Sequence, residues 1–144
     1  MSSVEDLDSF FIQTGLQYEQ IGKSTWVITP DSAHPAQIGV SADPPVVVFS
    51  IVMFTLGGQE EDHEGLFRCL LELNAELLHS SYSLQGDRVV LSGAQQLENL
   101  DFNEFQAMID DMCMALDNHW DKLATWGRPA SQSQDTGAAA EGSA

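Results

Sequence analysis

Apolar residues recur along the chain in two rhythms, and the changes between them divide it into elements. Val4, Leu7, Phe10 and Phe11 fall at helical spacing. Ser2-Ser3-Val4-Glu5 has the pattern of a capping box, whose side chains satisfy the free N–H groups of a first turn, and Gly15 suits a helix C-terminus. Leu16–Ile21 and Ser24–Thr29 are β-prone runs about Gly22-Lys23, which predicts a hairpin. Pro30 and Pro35 bracket a loop, Gln37–Ser41 reads as a third strand, and Asp43-Pro44-Pro45 turns the chain again. Pro45–Leu56 carries the strongest strand signal. Its near-continuous β-branched and apolar character predicts a strand covered on both faces.

Gly57-Gly58 ends that strand, and the acidic stretch Gln59–Glu64 leads toward the positive end of a helix dipole. The helix is expected over Leu66–His79. Leu66, Leu70, Leu73 and Leu77 form one stripe, while Phe67, Leu71 and Leu78, with Asn74 among them, form a second. A helix covering one sheet needs a single stripe. The second stripe therefore predicts another apolar contact, made either within the chain or with a dimer partner.

Ser80–Leu84 and Arg88–Ser92 flank Gln85-Gly86-Asp87 as a second hairpin. The longest helix starts near Leu100, with Asp101 as N-cap, Glu104 completing a capping box and Leu100 stapling onto Phe105. Phe105, Met108, Ile109, Met112, Leu116 and Leu123 share one arc of it. Glu104, Asp110, Asp111, Asp117 and Asp121 share the other, which is expected to face solvent. From Gly127 onward the composition turns to Ser, Gln, Gly and Ala. Residues 1–126 are therefore expected to form one α+β domain, and 127–144 a disordered tail.

Charge narrows the choice of partners. Twenty-two acids against 5 Lys and Arg give a formal charge of −17 over 144 residues, so no basic patch for nucleic acid or an anionic membrane surface can assemble. The 43% apolar content excludes a wholly disordered polymer. No basic, apolar leader opens the chain, and its longest apolar run falls far short of the ~20 residues that span a bilayer. A soluble cytoplasmic protein is expected. Cys69 and Cys113 both fall in helical segments without CxxC spacing, and are expected as reduced thiols.

Candidate chemistry is sparse. Glu60-Glu61-Asp62-His63-Glu64 lacks the ligand order of a calcium loop, and Asp117-Asn118-His119-Trp120-Asp121 places His119 toward the apolar arc, as a hydrogen-bonded core or interface histidine. His34 and His79 stand alone. No paired metal-binding histidines, phosphate loop or nucleophile elbow is present, and Ser50 has no base near it. The expectation is no enzyme, no cofactor and no metal. What remains is surplus apolar surface: Trp26, Trp120, Trp126 and the second helix stripe exceed what a monomer of this size needs. Phe67, Leu71, Asn74 and Leu78 are accordingly the candidate dimer or partner interface.

The order helix, strands, helix, hairpin, helix, together with small size and acidity, resembles the type III secretion chaperone family, including the Tir chaperone CesT and the YbjN-like proteins. The residues that carry the resemblance are Leu70-Leu71-Glu72-Leu73-Asn74, then Tyr82-Ser83-Leu84-Gln85-Gly86-Asp87-Arg88-Val89-Val90-Leu91, with Phe49–Thr55 and the Leu100–Phe105 helix start. It covers Val4 to Leu123. The resemblance implies an α+β, type III secretion chaperone-like fold with an antiparallel sheet. It also implies a non-enzymatic homodimer that binds a protein or peptide partner, such as a secreted effector, through apolar surface. A YbjN-like regulatory or adaptor protein that binds a folded partner is the alternative it leaves open.

Overall fold

A computed structural model describes residues 4–34, 36–56 and 63–129. In chain order its elements are α1 (Val4–Thr14), β1 (Gln17–Gln20), β2 (Thr25–Thr29), β3 (Ile38–Asp43), β4 (Val46–Leu56), α2 (His63–Asn74), β5 (Ser81–Gln85), β6 (Arg88–Gln96), α3 (Phe102–Leu123) and β7 (Gly127–Pro129). The strands form one seven-stranded antiparallel sheet in the order β1-β2-β3-β4-β6-β5, with β7 on β4. Local chemistry accounts for the boundaries. Gly15 and Gly86 take the left-handed backbone that closes α1 and turns β5 into β6. Asp101 accepts from the Glu104 N–H at 2.8 Å while the Glu104 side chain accepts from Asp101, so the expected capping box of α3 is complete. The Ser2–Ser3 cap and the Gln59–Asp62 approach lie outside the described residues.

The core occupies one side of the sheet. Along β4, Val47, Phe49, Ile51 and Met53 are buried, and in β2 and β3 Trp26, Ile28, Ile38 and Val40 join them. Phe11 of α1 stacks on Trp26 at 4.9 Å, and Phe105 of α3 meets Phe49 edge-on at 5.4 Å. Leu66, Leu70 and Leu73 of α2 belong to the same core.

Three expectations are corrected here. The strand β4 is covered on one face only, because Val46, Val48, Ser50 and Val52 alternate with the buried set and stay half-exposed. The middle helix stops at Asn74, five residues short of His79. Its end is diverted into short turns, and the N–H groups of Leu78, His79 and Ser80 donate to Asp111 instead of to carbonyls one turn back. Asp111 is therefore buried, although the periodicity groups it with the solvent-facing acids. Residues 127–129 of the expected tail form β7, whose backbone pairs with Leu56, Thr55 and Phe54, and the rest of it, 130–144, lies outside the described residues.

Candidate functional site

Two apolar surfaces stay open among the described residues. The first is the outward side of α2. Phe67 and Leu71 stand one turn apart there, 38% and 71% exposed, and line a cleft of about 420 Å³ with Glu64, Arg68 and Glu72. Leu78 is 84% exposed but lies beyond the helix, in the connection to β5. The stripe expected from periodicity is thus carried by two different elements. Asn74 caps the inner end of that surface. Its side-chain carbonyl accepts from the Tyr82 N–H at 2.7 Å and its amide faces the Tyr82 carbonyl at 3.4 Å, which leaves the amide committed to β5.

A polar network fastens this surface to α3. The Asp111 carboxylate accepts the Ser80 hydroxyl at 2.7 Å and the backbone N–H groups of His79 and Ser80 at 3.0 Å, with Leu78 at 3.3 Å. Burial alone would raise its pKa. The bonds from Ser80, His79 and Leu78 outweigh that and hold it below the ordinary carboxylate value. His119, two turns further along α3, is fully buried, with Nε2 2.9 Å from Glu76 and Nδ1 2.9 Å from the Tyr82 hydroxyl. The two ring nitrogens thus bridge the Glu76 carboxylate and the Tyr82 hydroxyl. Tyr, His and Glu in line could look catalytic, but burial, with Cys69 and Glu76 adding, pushes the Tyr82 phenol well up. It remains a protonated, inaccessible donor, and the triad acts as a tie between β5, α3 and the end of α2. Gly93 completes the fastening, since a Cβ there would lie 2.6 Å from the His79 carbonyl oxygen and under 3 Å from Met108.

The second open surface is the outer side of the sheet. Val27, Gly39, Ser50 and Val52 form the floor of a groove of about 730 Å³, walled by the β2–β3 connection through Pro30, Ala33, His34 and Ala36. That connection is tied down by the Ser32 hydroxyl on Asp117 at 2.9 Å and by His34 stacked 4.8 Å from Trp120. None of the described side chains lining the groove is a carboxylate. Such lining offers shape and apolar contact, with polar groups at Thr29, Ser32, His34, Gln37 and Ser50.

The remaining candidates are scattered. Trp26 is core, and Trp120 and Trp126 are half-buried against it. His63 lies 6.0 Å from Phe67, and among the described residues no group of three His, Cys, Asp or Glu could hold a metal ion. Burial, with nearby Asp110 and Asp117, pushes the Cys113 thiol up to about 11, and burial with Glu72 raises Cys69, so neither favours a thiolate. Periodicity set Phe67 and Leu71 on a face apart from the buried leucines of α2 and leaned His119 inward, but it placed Leu78 on a helix that has already ended. It missed the groove, Asp111 and Gly93. No helix among the described residues is long and apolar enough to cross a membrane.

The family model CesT_Tir_1 matches residues 1–129. A chain of the heterodimeric ExoU–SpcU complex from the type III secretion system of Pseudomonas aeruginosa superposes with a TM-score of 0.59 at 15% identity, covering 83% of this chain and 95% of that one. A chain of the HopA1–SchA chaperone–effector complex gives 0.54 at 13% identity, covering 83% and 88%. YbjN from E. coli, proposed to be a transcription regulator, gives 0.61 at 12% identity, covering 90% and 100%. At these identities the likeness is one of fold. A search of curated proteins returns no match.

Proposed function

The chain belongs to the CesT_Tir_1 family, and on that premise we propose that it is a non-enzymatic, secretion-chaperone-like protein of the cytoplasm that binds an extended segment of a partner polypeptide, such as a secreted effector, and works as a homodimer. The observation that carries this reading is the bare outer side of the sheet. Half-exposed Val27 and Val52 line a preformed groove, Val48 lies further along the same face of β4, and apolar partner side chains would be buried there. Strand β1 ends the sheet with all four residues exposed, so an extended backbone can pair along its edge. The charge of −17 keeps a loaded complex soluble and favours partners with basic segments.

The dimer contact is assigned to Phe67, Leu71 and Leu78, with Asn74 fixing the helix end between them. Each large apolar side chain removed from water contributes ~1.5–3 kcal/mol, so two symmetric copies can offset the entropy of association. The binding reading is tested by co-purification from the native host, identification of the partner, and titration of its short unfolded fragments into ¹⁵N-labelled protein. Shifts of Val27, Val48 and Val52 with an isolated fragment are expected. A partner that binds only when folded would overturn the extended-segment mechanism in favour of a YbjN-like adaptor.

A further inference from the structure

We infer that two copies of this chain meet through α2 in antiparallel order, each Arg68 pairing with Glu72 of the partner subunit. The inference rests on the dimer reading above and adds the orientation and register of the contact. It starts from the order of charges on the helix. Glu64, Arg68 and Glu72 follow one another at intervals of four residues, and Phe67 and Leu71 stand one position before the last two. Residues four apart lie one above the other on a helix face. The outward side of α2 therefore carries two ridges side by side, an apolar one of Phe67 and Leu71 and a charged one of Glu64, Arg68 and Glu72. The five side chains line a single cleft of about 420 Å³. Leu66, Leu70 and Leu73 point away from it into the core.

Arg68 is the feature that chooses the partner. It is the only Lys or Arg of α2, in a chain with 22 acids against 5 such cations. It is exposed, and although both flanking acids stand at the spacing of helical ion pairs, it makes no salt bridge among the described residues. A surface that fits this cleft must present an apolar pair beside alternating acid and base. The same face of a second copy does so.

Symmetry then selects the orientation. A two-fold axis parallel to α2 would put the two charged ridges on opposite sides of the contact, where they cannot meet. A two-fold axis perpendicular to α2 reverses the partner helix and keeps the charged ridges on the same side, facing each other in opposite order. With that axis at the level of residue 69, Phe67 lies level with the partner's Leu71. At ~1.5 Å of rise per residue, Arg68 then stands about 3 Å along the helix from the partner's Glu72 and about 9 Å from the partner's Glu64. The nearer acid is the one an arginine reaches across two packed helices. Because the contact is isologous, each apolar and each ionic pair occurs twice. Two subunits of charge −17 repel one another, and Arg68 replaces that repulsion by attraction where the copies are closest.

The test measures dimer dissociation constants by sedimentation equilibrium for the full chain and for Arg68→Glu, Glu72→Arg and the double reversal. Each single reversal sets like charges against each other at both pairing sites and is expected to weaken the dimer roughly tenfold. Weakening by Glu72→Arg is the discriminating result, because that change lowers the net charge and by itself favours association. The double reversal restores both pairs and is expected to return to within about threefold of wild type. Wild-type protein that is monomeric at high micromolar concentration would overturn the dimer reading and this inference with it. A dimer that Glu72→Arg leaves intact, or that the double reversal fails to restore, would overturn the pairing alone. If a reversed variant does not fold by circular dichroism, Arg68→Gln and Glu72→Gln replace the reversals. A double variant no weaker than either single one then supports the pairing, and additive losses overturn it.

Discussion

The two faces of β4 are made of the same kind of residue and meet different fates. Val47, Phe49, Ile51 and Met53 are sealed beneath the helices, whereas Val46, Val48, Ser50 and Val52, set between them on the same strand, remain half-exposed. The difference does not come from the strand. It comes from where the helices lie: α1 and α3 meet the inward-facing Trp26 and Phe49, and α2 adds Leu66, Leu70 and Leu73 to that same core, which leaves the outer side of β2, β3 and β4 uncovered among the described residues. An apolar strand face without a covering layer is the kind of surface that protein partners use. The inner face is therefore expected to carry stability, and the outer face binding.

The sharpest way to break this division is to truncate one residue on each side. Phe49→Ala opens a cavity in a close-packed core and is expected to cost ~3–5 kcal/mol in denaturant unfolding. Val48→Ala, one position away, is expected to cost under about 1 kcal/mol and to weaken partner binding instead. Equal losses at the two sites would mean that the outer face is covered in solution.

A smaller effect, on the order of 1.5–3 kcal/mol, is expected for Asp111→Asn, because the amide presents donors to donors and leaves the N–H groups of the α2–β5 connection unpaired. The folded-state pKa of Asp111 is lowered, so its contribution is complete at neutral pH and is lost as pH falls through that lowered value. The stability gap between wild type and variant should therefore be constant near pH 7 and close below about pH 4. A gap that widens in acid would show that the carboxylate is not the favoured form.

Smallest in stability, though not in consequence, is Leu71→Asp. Its site is 71% exposed, so a change within ~0.5 kcal/mol is expected for the protomer. Light scattering should nevertheless fall from about twice 15.7 kDa to the single-chain mass, since a charge would face its own copy across the two-fold. Wild-type protein that is already monomeric at high micromolar concentration would remove the dimer assignment. Loss of near-ultraviolet circular dichroism in the variant would instead place Leu71 in the core.

Local rules were legible in the chain as written. Helical spacing marked α1 and α3, the Asp101–Glu104 pair marked the start of α3, and turn residues marked both hairpins, because each of these depends on neighbours a few positions apart. The element order and its apolar pattern also carried the resemblance to the chaperone fold. Period and propensity could not say which face of β4 would be covered, since that depends on where helices distant in sequence come to lie. Nor could they take Asp111 out of the acidic arc. Its partners, Leu78, His79 and Ser80, lie more than 30 residues away, and they turn toward it only after α2 has ended. The same holds for Gly93, required by the approach of the His79 carbonyl, and for the groove, which exists only where the β2–β3 connection folds over the bare side of the sheet. Contacts within a turn or a hairpin are set by sequence spacing. The burial of a face, the pairing of a lone carboxylate and the shape of a groove are set by elements that meet only in three dimensions.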